Sequence, residues 1–467
     1  MSPAAKNAAG VALLMTVWWV TEAIPIYATA FVPLALFPLL GILPAEETAA
    51  NYGHNYVLML LGGFFLSKAI EVQQLHKRIA LLTIRWLGVS RSRIVLSFML
   101  ATAALSMWIA NVAVALLMLP IAQALIVKEE ETDTDSRFGV GLMLAIAYAS
   151  SIGGTGTLIG TPVNMVFAGM MDKIFPGSPE INFFTWLKIG FPLVIIFLPV
   201  IWLYLVRYFK MSGNIPGSRE VVRRELEHLG PMQSGEKRVL ALFILTALGW
   251  IFRKDIVLDN WTLPGWSSLL GVEKYVHDST VAIFSALLLF AIPAGKGKGR
   301  LLDWRLAATV PWGVVMIVGG GYAIAESFQV TGLADWLGQS LSFIGQLPVL
   351  GLLLVVVTLM VFITEINSNT ATANIFLPVL ATMAVAGAAN PLLLMIPATF
   401  ACSFAFMLPS GTGTNTVIFA GNRVTIPEMA RCGFWLNLIS IVLLTIYLYL
   451  FVVPVLGLES GLPDWAH

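Results

Sequence analysis

Long apolar runs separated by short charged loops organise this chain. Stretches 8–24, 26–43, 183–208, 237–253, 279–294 and 433–457 are apolar over about the 20 residues that a bilayer-spanning helix needs. Two other apolar segments, 94–126 and 349–389, break that rule. Each is long for one crossing, short for two, and polar near its middle. In the second, "TEINSNTATANIFLP" (364–378) sets Asn367, Ser368, Asn369, Thr370 and Thr372 inside a hydrophobic stretch. A re-entrant helical hairpin, which turns at mid-depth and leaves by the face it entered, accommodates both segments. Irregular backbone at that depth is tolerated only where protein buries it or where it lines a wet cavity.

The pattern occurs twice. "LGGFFLSKAIEVQQL" (61–75) returns as "GGGYAIAESFQVTGL" (319–333) at an offset of 258, which also pairs Asn111 of "LSMWIANVAVALLMLP" (105–120) with Asn369 of "FITEINSNTATANIFLP" (362–378). A second pair, "GTLIGTPVNMVF" (156–167) and "FMLPSGTGTNTVIF" (406–419), matches Asn164 to Asn415 at an offset of 251. Each half thus holds an Asn-centred motif followed by a Gly-Thr-x-x-Asn motif.

Charge then orients the copies. Loop 77–93 carries Lys77, Arg78, Arg85, Arg91 and Arg93, whereas its equivalent 335–351 has no basic residue; 127–138 has Lys128 and Arg137, whereas 385–396 is uncharged. Short basic loops stay cytoplasmic, so equivalent loops fall on opposite faces, the sign of inverted repeats. Basic stretches 207–238 and 295–305 read as cytoplasmic, and 254–278 as external. A charged surface helix is expected at 213–230, with a solvated charge run as its plain meaning. With 58% hydrophobic and 11% charged residues, the fold class is an all-α polytopic membrane protein with inverted repeats, two re-entrant hairpins and broken transmembrane helices. No removable signal peptide is expected. A net charge of +1 argues against nucleic acid. Cys402 and Cys432 with five scattered histidines give no transition-metal spacing.

The motifs suggest ion and anion chemistry. A turn at mid-depth exposes helix ends, whose N–H groups attract anions and whose carbonyls attract cations. Asn111 and Asn369 offer an amide oxygen to a cation and an NH₂ to a carboxylate. Ser368, Thr370 and Thr372 add hydroxyls, and "GTPVN" (160–164) and "GTGTN" (411–415) interrupt helices with Gly and Pro. The alternative is that such residues join helices to one another; four motifs in a two-by-two arrangement favour a site. An enzyme is not expected, since "SGTGT" lacks the context and His partner of a hydrolase. Among Glu22, Lys68, Glu71, Glu326 and Glu365, the first three suit structural roles. Glu365 is the most interesting, although its counterpart at the same offset is Met107.

"WWVTEAIPIYATAFVPLALFPLLGI" (18–42), "LGGFFLSKAIE" with "HKRIAL", "SIGGTGTLIGTPVN" and "SNTATANIFLP" resemble the divalent anion–sodium symporter family over nearly the whole chain. The resemblance implies sodium-coupled symport of dicarboxylates, citrate or sulfate across a bacterial plasma membrane by a homodimer, with a mobile domain moving as an elevator against a scaffold. It implies scaffold helices at 1–60; a first repeat at 61–208 with hairpin 94–126 and broken helix 138–170; a cytoplasmic linker at 209–236; and scaffold helices at 237–300. The second repeat is 301–457, with hairpin 349–389, broken helix 391–422 and last helix 433–457. Carried over by position, one sodium site would use Ser106, Asn111 and the backbone at Gly160, and another Thr364, Asn367, Asn369 and the backbone at Gly411. Substrate would lie between Asn111 and Thr161 on one side and Ser368, Asn369, Thr370 and Thr412 on the other.

Two departures change this expectation. Where the family has Ser-Asn-Thr, the first motif reads Ala110-Asn111-Val112, so two hydroxyls are gone. The family also has a further hydrophobic segment before "WWVTEAIP". The expected activity is sodium-driven symport of C4-dicarboxylates (succinate, malate or fumarate), with sodium-independent dicarboxylate or citrate exchange, or sulfate symport, as the alternatives.

Overall fold

A computed structural model describes all residues except 87–89, 132–136, 259–260, 342–346, 422 and 467. Parts of the loops 77–93, 127–138 and 335–351, on whose charges the expected inversion of the repeats rests, therefore lie outside the described residues. The described chain is mostly helical, with one antiparallel β-hairpin pairing Ile256–Leu258 with Trp261–Leu263. Seven helices among the described residues are long and apolar enough to cross a membrane, including Phe183–Tyr208, Trp312–Thr331 and the continuous Ile426–Val455. Local signals fix several ends. Asn182 accepts from Thr185 N at 2.8 Å to cap Phe183–Tyr208, and Thr425 and Glu428 form a capping box at Ile426.

Four interrupted helices position the site. Arg91–Ser106 and Asn111–Glu130 are joined by the turn 107–110, and Val349–Ile366 and Asn369–Ala386 by 367–368. Phe138–Gly154 and Pro162–Ile174 flank the break 155–161; Leu392–Cys402 and Gly413–Ala420 flank 403–412. Each helix pair packs on a broken helix: Arg91–Ser106 against Phe138–Gly154, and Val349–Ile366 against Leu392–Cys402. The two broken helices are buried over most of their length, as befits segments whose apolar side chains run all round rather than along one stripe. Asn55–Val72 packs on Asp278–Ala291 beside this assembly. Helix Ser218–Leu229, rich in Arg and Glu, lies on the surface against Leu75–Trp86 and Asn111–Glu130.

Candidate functional site

Four helix N-termini meet at one cavity of about 470 Å³. Helices Asn111–Glu130, Pro162–Ile174, Asn369–Ala386 and Gly413–Ala420 begin after Ala110, Thr161, Ser368 and Thr412, and all four preceding residues line it. None of these four side chains caps its own helix. First-turn N–H groups, which have no partner within a helix, are thus open to the cavity in three of the helices; in the fourth, Pro162 has no N–H and Asn164 N donates to the Thr161 carbonyl at 3.2 Å. Helix N-termini carry partial positive charge, so their convergence favours an anion. Among the described lining residues none is charged.

The expected substrate residues come together: Asn111, Thr161, Ser368, Asn369, Thr370 and Thr412 all line the cavity, as do Gly160 and Gly411. Ser106, Thr364 and Asn367 sit behind the wall, buried. Ser106 Oγ lies 2.8 Å from Ser150 Oγ, and Ser150 Oγ donates to the Asn111 carbonyl at 2.9 Å. Thr364 Oγ1 lies 2.7 Å from Asn369 Oδ1 and 2.8 Å from the Cys402 carbonyl, while Asn367 Oδ1 accepts from Ser368 N at 2.9 Å. The Oδ1 atoms of Asn111, Asn164 and Asn415 are buried without a hydrogen-bond partner among the described residues. Buried acceptor oxygens with no donor suit a hard cation such as sodium, which takes oxygen ligands.

Asn164 and Asn415 hold the breaks in matching register. Asn164 Nδ2 donates to the carbonyls of Gly154 (3.2 Å) and Thr157 (2.7 Å), ten and seven residues earlier; Asn415 Nδ2 does the same to Ala405 (3.0 Å) and Leu408 (2.9 Å). Close backbone approach accompanies this: a Cβ at Gly160 would meet the Gly154 carbonyl oxygen at 2.4 Å. The copies differ elsewhere. Thr157 Oγ1 donates to the Met107 carbonyl, whereas the residue equivalent to Met107, Glu365, uses its carboxylate. That carboxylate accepts from Phe406 N (2.6 Å), Met407 N (3.0 Å), Leu408 N (3.1 Å) and Asn437 Nδ2 (2.8 Å). Glu365 is therefore a structural clamp on the second break.

Sequence reasoning missed several contributors. Ser67, Trp108, Tyr27 and Ser410 line the cavity, and Ser150 links Ser106 to Asn111. Ser67 lies in the repeated block 61–75, and Ser150 directly precedes "SIGGTGT"; neither is distinguished by spacing alone. Lys68 pairs with Glu71 at 2.9 Å, and Glu22 ends helix Pro3–Thr21 in a left-handed conformation, consistent with structural roles. Glu326 accepts from Asn51 at 2.5 Å and pairs with Lys173 at 3.4 Å.

Known proteins of similar sequence, and others of similar fold, identify the family. A family model described as sodium:sulfate symporter transmembrane region matches residues 1–458. The sodium-dependent dicarboxylate transporter SdcS of Staphylococcus saprophyticus is 42% identical over 97% of this chain and 87% of its own length, and its Staphylococcus aureus counterpart 40% identical over the same shares. Two solved structures share the fold: Neisseria gonorrhoeae MtrF, described as illuminating a class of antimetabolite efflux pumps (TM-score 0.63, 14% identity, 99% of this chain and 98% of that one), and the Alcanivorax borkumensis YdaH transporter (TM-score 0.57, 14% identity, 94% and 98%). With the family match running over nearly its whole length, this chain belongs to the sodium:sulfate symporter family, the divalent anion–sodium symporters, and is an integral membrane transporter rather than an enzyme.

Proposed function

We propose that the protein carries C4-dicarboxylates such as succinate, malate or fumarate across the plasma membrane by sodium symport. The convergence of four uncapped helix N-termini on a cavity with no basic residue among its described lining carries this reading. A dianion taken from water into such a place loses several kcal/mol of hydration per charge, roughly, while each helix end returns about 0.3–2 kcal/mol. Bound cations close that gap, and their binding becomes coupled to the substrate's. In this reading one carboxylate is held by Asn111 and Thr161 and the other by Ser368, Asn369, Thr370 and Thr412. One sodium lies at Ser106, Asn111 and the backbone of Gly160; another lies at Thr364, Asn367, Asn369 and the backbone of Gly411. The names of the staphylococcal relatives support both the ion and the substrate class.

The same reading takes the two helix–turn–helix pairs as re-entrant hairpins of an inverted repeat. Together with the broken helices they move as one elevator body against scaffold helices of a homodimer. The matched register of Asn164 and Asn415 supports the duplication. Ala110 and Val112, which offer no side-chain oxygen to the first site, favour one alternative, sodium-independent exchange. Uptake into proteoliposomes separates the two: succinate accumulation is expected to require an inward sodium gradient. Equal uptake in potassium or choline buffer, dependent on internal dicarboxylate, would establish exchange instead.

A further inference from the structure

A second cavity, of about 810 Å³, opens between the surface helix Ser218–Leu229 and the ends of helices Leu75–Trp86, Arg91–Ser106 and Asn111–Glu130. It has two kinds of wall. Ile84, Ile94, Leu125 and Val222 form a buried apolar floor, and exposed Arg85, Arg93, Arg219 and Arg223 form the rim. Arg223 is answered by Glu220 at 2.9 Å and by Glu227, also on the rim, at 3.5 Å. Arg85, Arg93 and Arg219 have no ion pair among the described residues. Ser218, another lining residue, is 3% exposed, and its hydroxyl has no hydrogen-bond partner among the described residues. It is the first residue of Ser218–Leu229, whose preceding residue, Gly217, has no side chain to cap the helix.

We propose that this cavity binds one anionic phospholipid of the cytoplasmic leaflet, with its phosphate at Arg93 and Arg219 and its acyl chain over the apolar floor. Three guanidiniums with no ion pair among the described residues and an orphaned buried hydroxyl supply anion chemistry. The floor selects the source. A free phosphate gains nothing from Ile84, Ile94, Leu125 and Val222, whereas a lipid removes their surface from water. The position among basic loops is where the negative leaflet draws polybasic segments, each Lys or Arg contributing about 1 kcal/mol. Only the cytoplasmic placement rests on the orientation read from loop charges; the dicarboxylate site plays no part in the argument, so lipid binding is measured without transport.

Native mass spectrometry of the full chain, released from detergent with added phosphatidylglycerol, phosphatidylcholine or inorganic phosphate, provides the test. One retained phosphatidylglycerol per chain is expected, displaced by neither of the other two. Arg93→Ala and Arg219→Ala should each weaken retention about fivefold. Val222→Trp, which fills the floor and leaves every arginine in place, should abolish it, with monodispersity on gel filtration showing that the variant folds. Displacement by inorganic phosphate would overturn the lipid assignment in favour of a soluble anion. Unchanged retention in both arginine variants, or in a folded Val222→Trp chain, would overturn the site.

Discussion

Asn111 and Asn369 occupy the same place in the two halves, but their neighbours differ: Ala110 and Val112 stand opposite Ser368 and Thr370. The contrast is spatial as well, because Val112 lines the cavity and its Cγ2 lies where a Cβ on Gly413 would fall, at 2.6 Å. Threonine is nearly isosteric with valine, so Val112→Thr exchanges a methyl for a hydroxyl without crowding Gly413, and Ala110→Ser restores the second oxygen. Each new oxygen that meets an ion or substrate contributes about 1 kcal/mol. The double variant is therefore expected to lower the sodium concentration for half-maximal succinate uptake by at least about fivefold; an unaltered sodium response would mean that the first site never uses those hydroxyls. Asn369→Ala is more severe. It removes the amide whose Oδ1 lies 2.7 Å from Thr364 Oγ1 and a polar face of the cavity together, so uptake should fall to the background of empty vesicles. A variant that folds and still transports at an appreciable rate would refute that role.

At the scale of elements, the two breaks share their Asn164 and Asn415 bonds but differ in a further tie. In the first, Thr157 donates to the Met107 carbonyl in the turn 107–110; in the second, the Glu365 carboxylate accepts from three consecutive amides, 406–408, and from Asn437 on the last long helix. Glu365→Gln keeps the volume but turns one oxygen into a donor that faces backbone N–H groups. Losing charge-assisted bonds to buried donors costs about 1.5–3 kcal/mol. Its thermal unfolding in detergent should begin well below the parent's, and a parent-like midpoint would show that the clamp carries little load. The sequence disclosed where helices break more readily than what holds the breaks. Asn111, Pro162 and Asn369 each begin a helix, and Gly and Pro at 160–162 interrupt one, because backbone restriction is local. The Glu365 clamp, and the Ser150 link between Ser106 and Asn111, join residues some 40 apart along the chain. Such pairings arise only when separate helices pack. The same limit hid Ser67 and Trp108, whose place on the cavity depends on how Asn55–Val72 and the turn 107–110 meet the other helices.

At the scale of the whole molecule, a buried ionic cluster ties the first half to the second. Arg253, 2% exposed, bonds the fully buried Asp278 at 2.5 Å, pairs with Glu180, and donates to the Val276 carbonyl at 3.0 Å. Asp278 in turn accepts from Phe183 N at 2.7 Å, at the start of Phe183–Tyr208, while its carbonyl accepts from Trp250 Nε1 at 2.9 Å. Segments around 180, 250 and 278 thus share one network, and composition alone gave no sign of it. A buried pair of this kind adds modest net stability against an apolar replacement, but removing one partner strands the other charge. Arg253→Leu should therefore cost about 3–5 kcal/mol and lower the unfolding midpoint sharply. Asp278→Asn added to it should recover part of the loss, because Asn keeps an acceptor for Phe183 N and carries no charge. The decisive quantity is the coupling between the two substitutions, measured by thermal unfolding of the parent, both singles and the double in one detergent. Simple additivity of the two losses would show that Arg253 and Asp278 act independently. A double variant more stable than Arg253→Leu alone is the outcome expected of a stranded carboxylate.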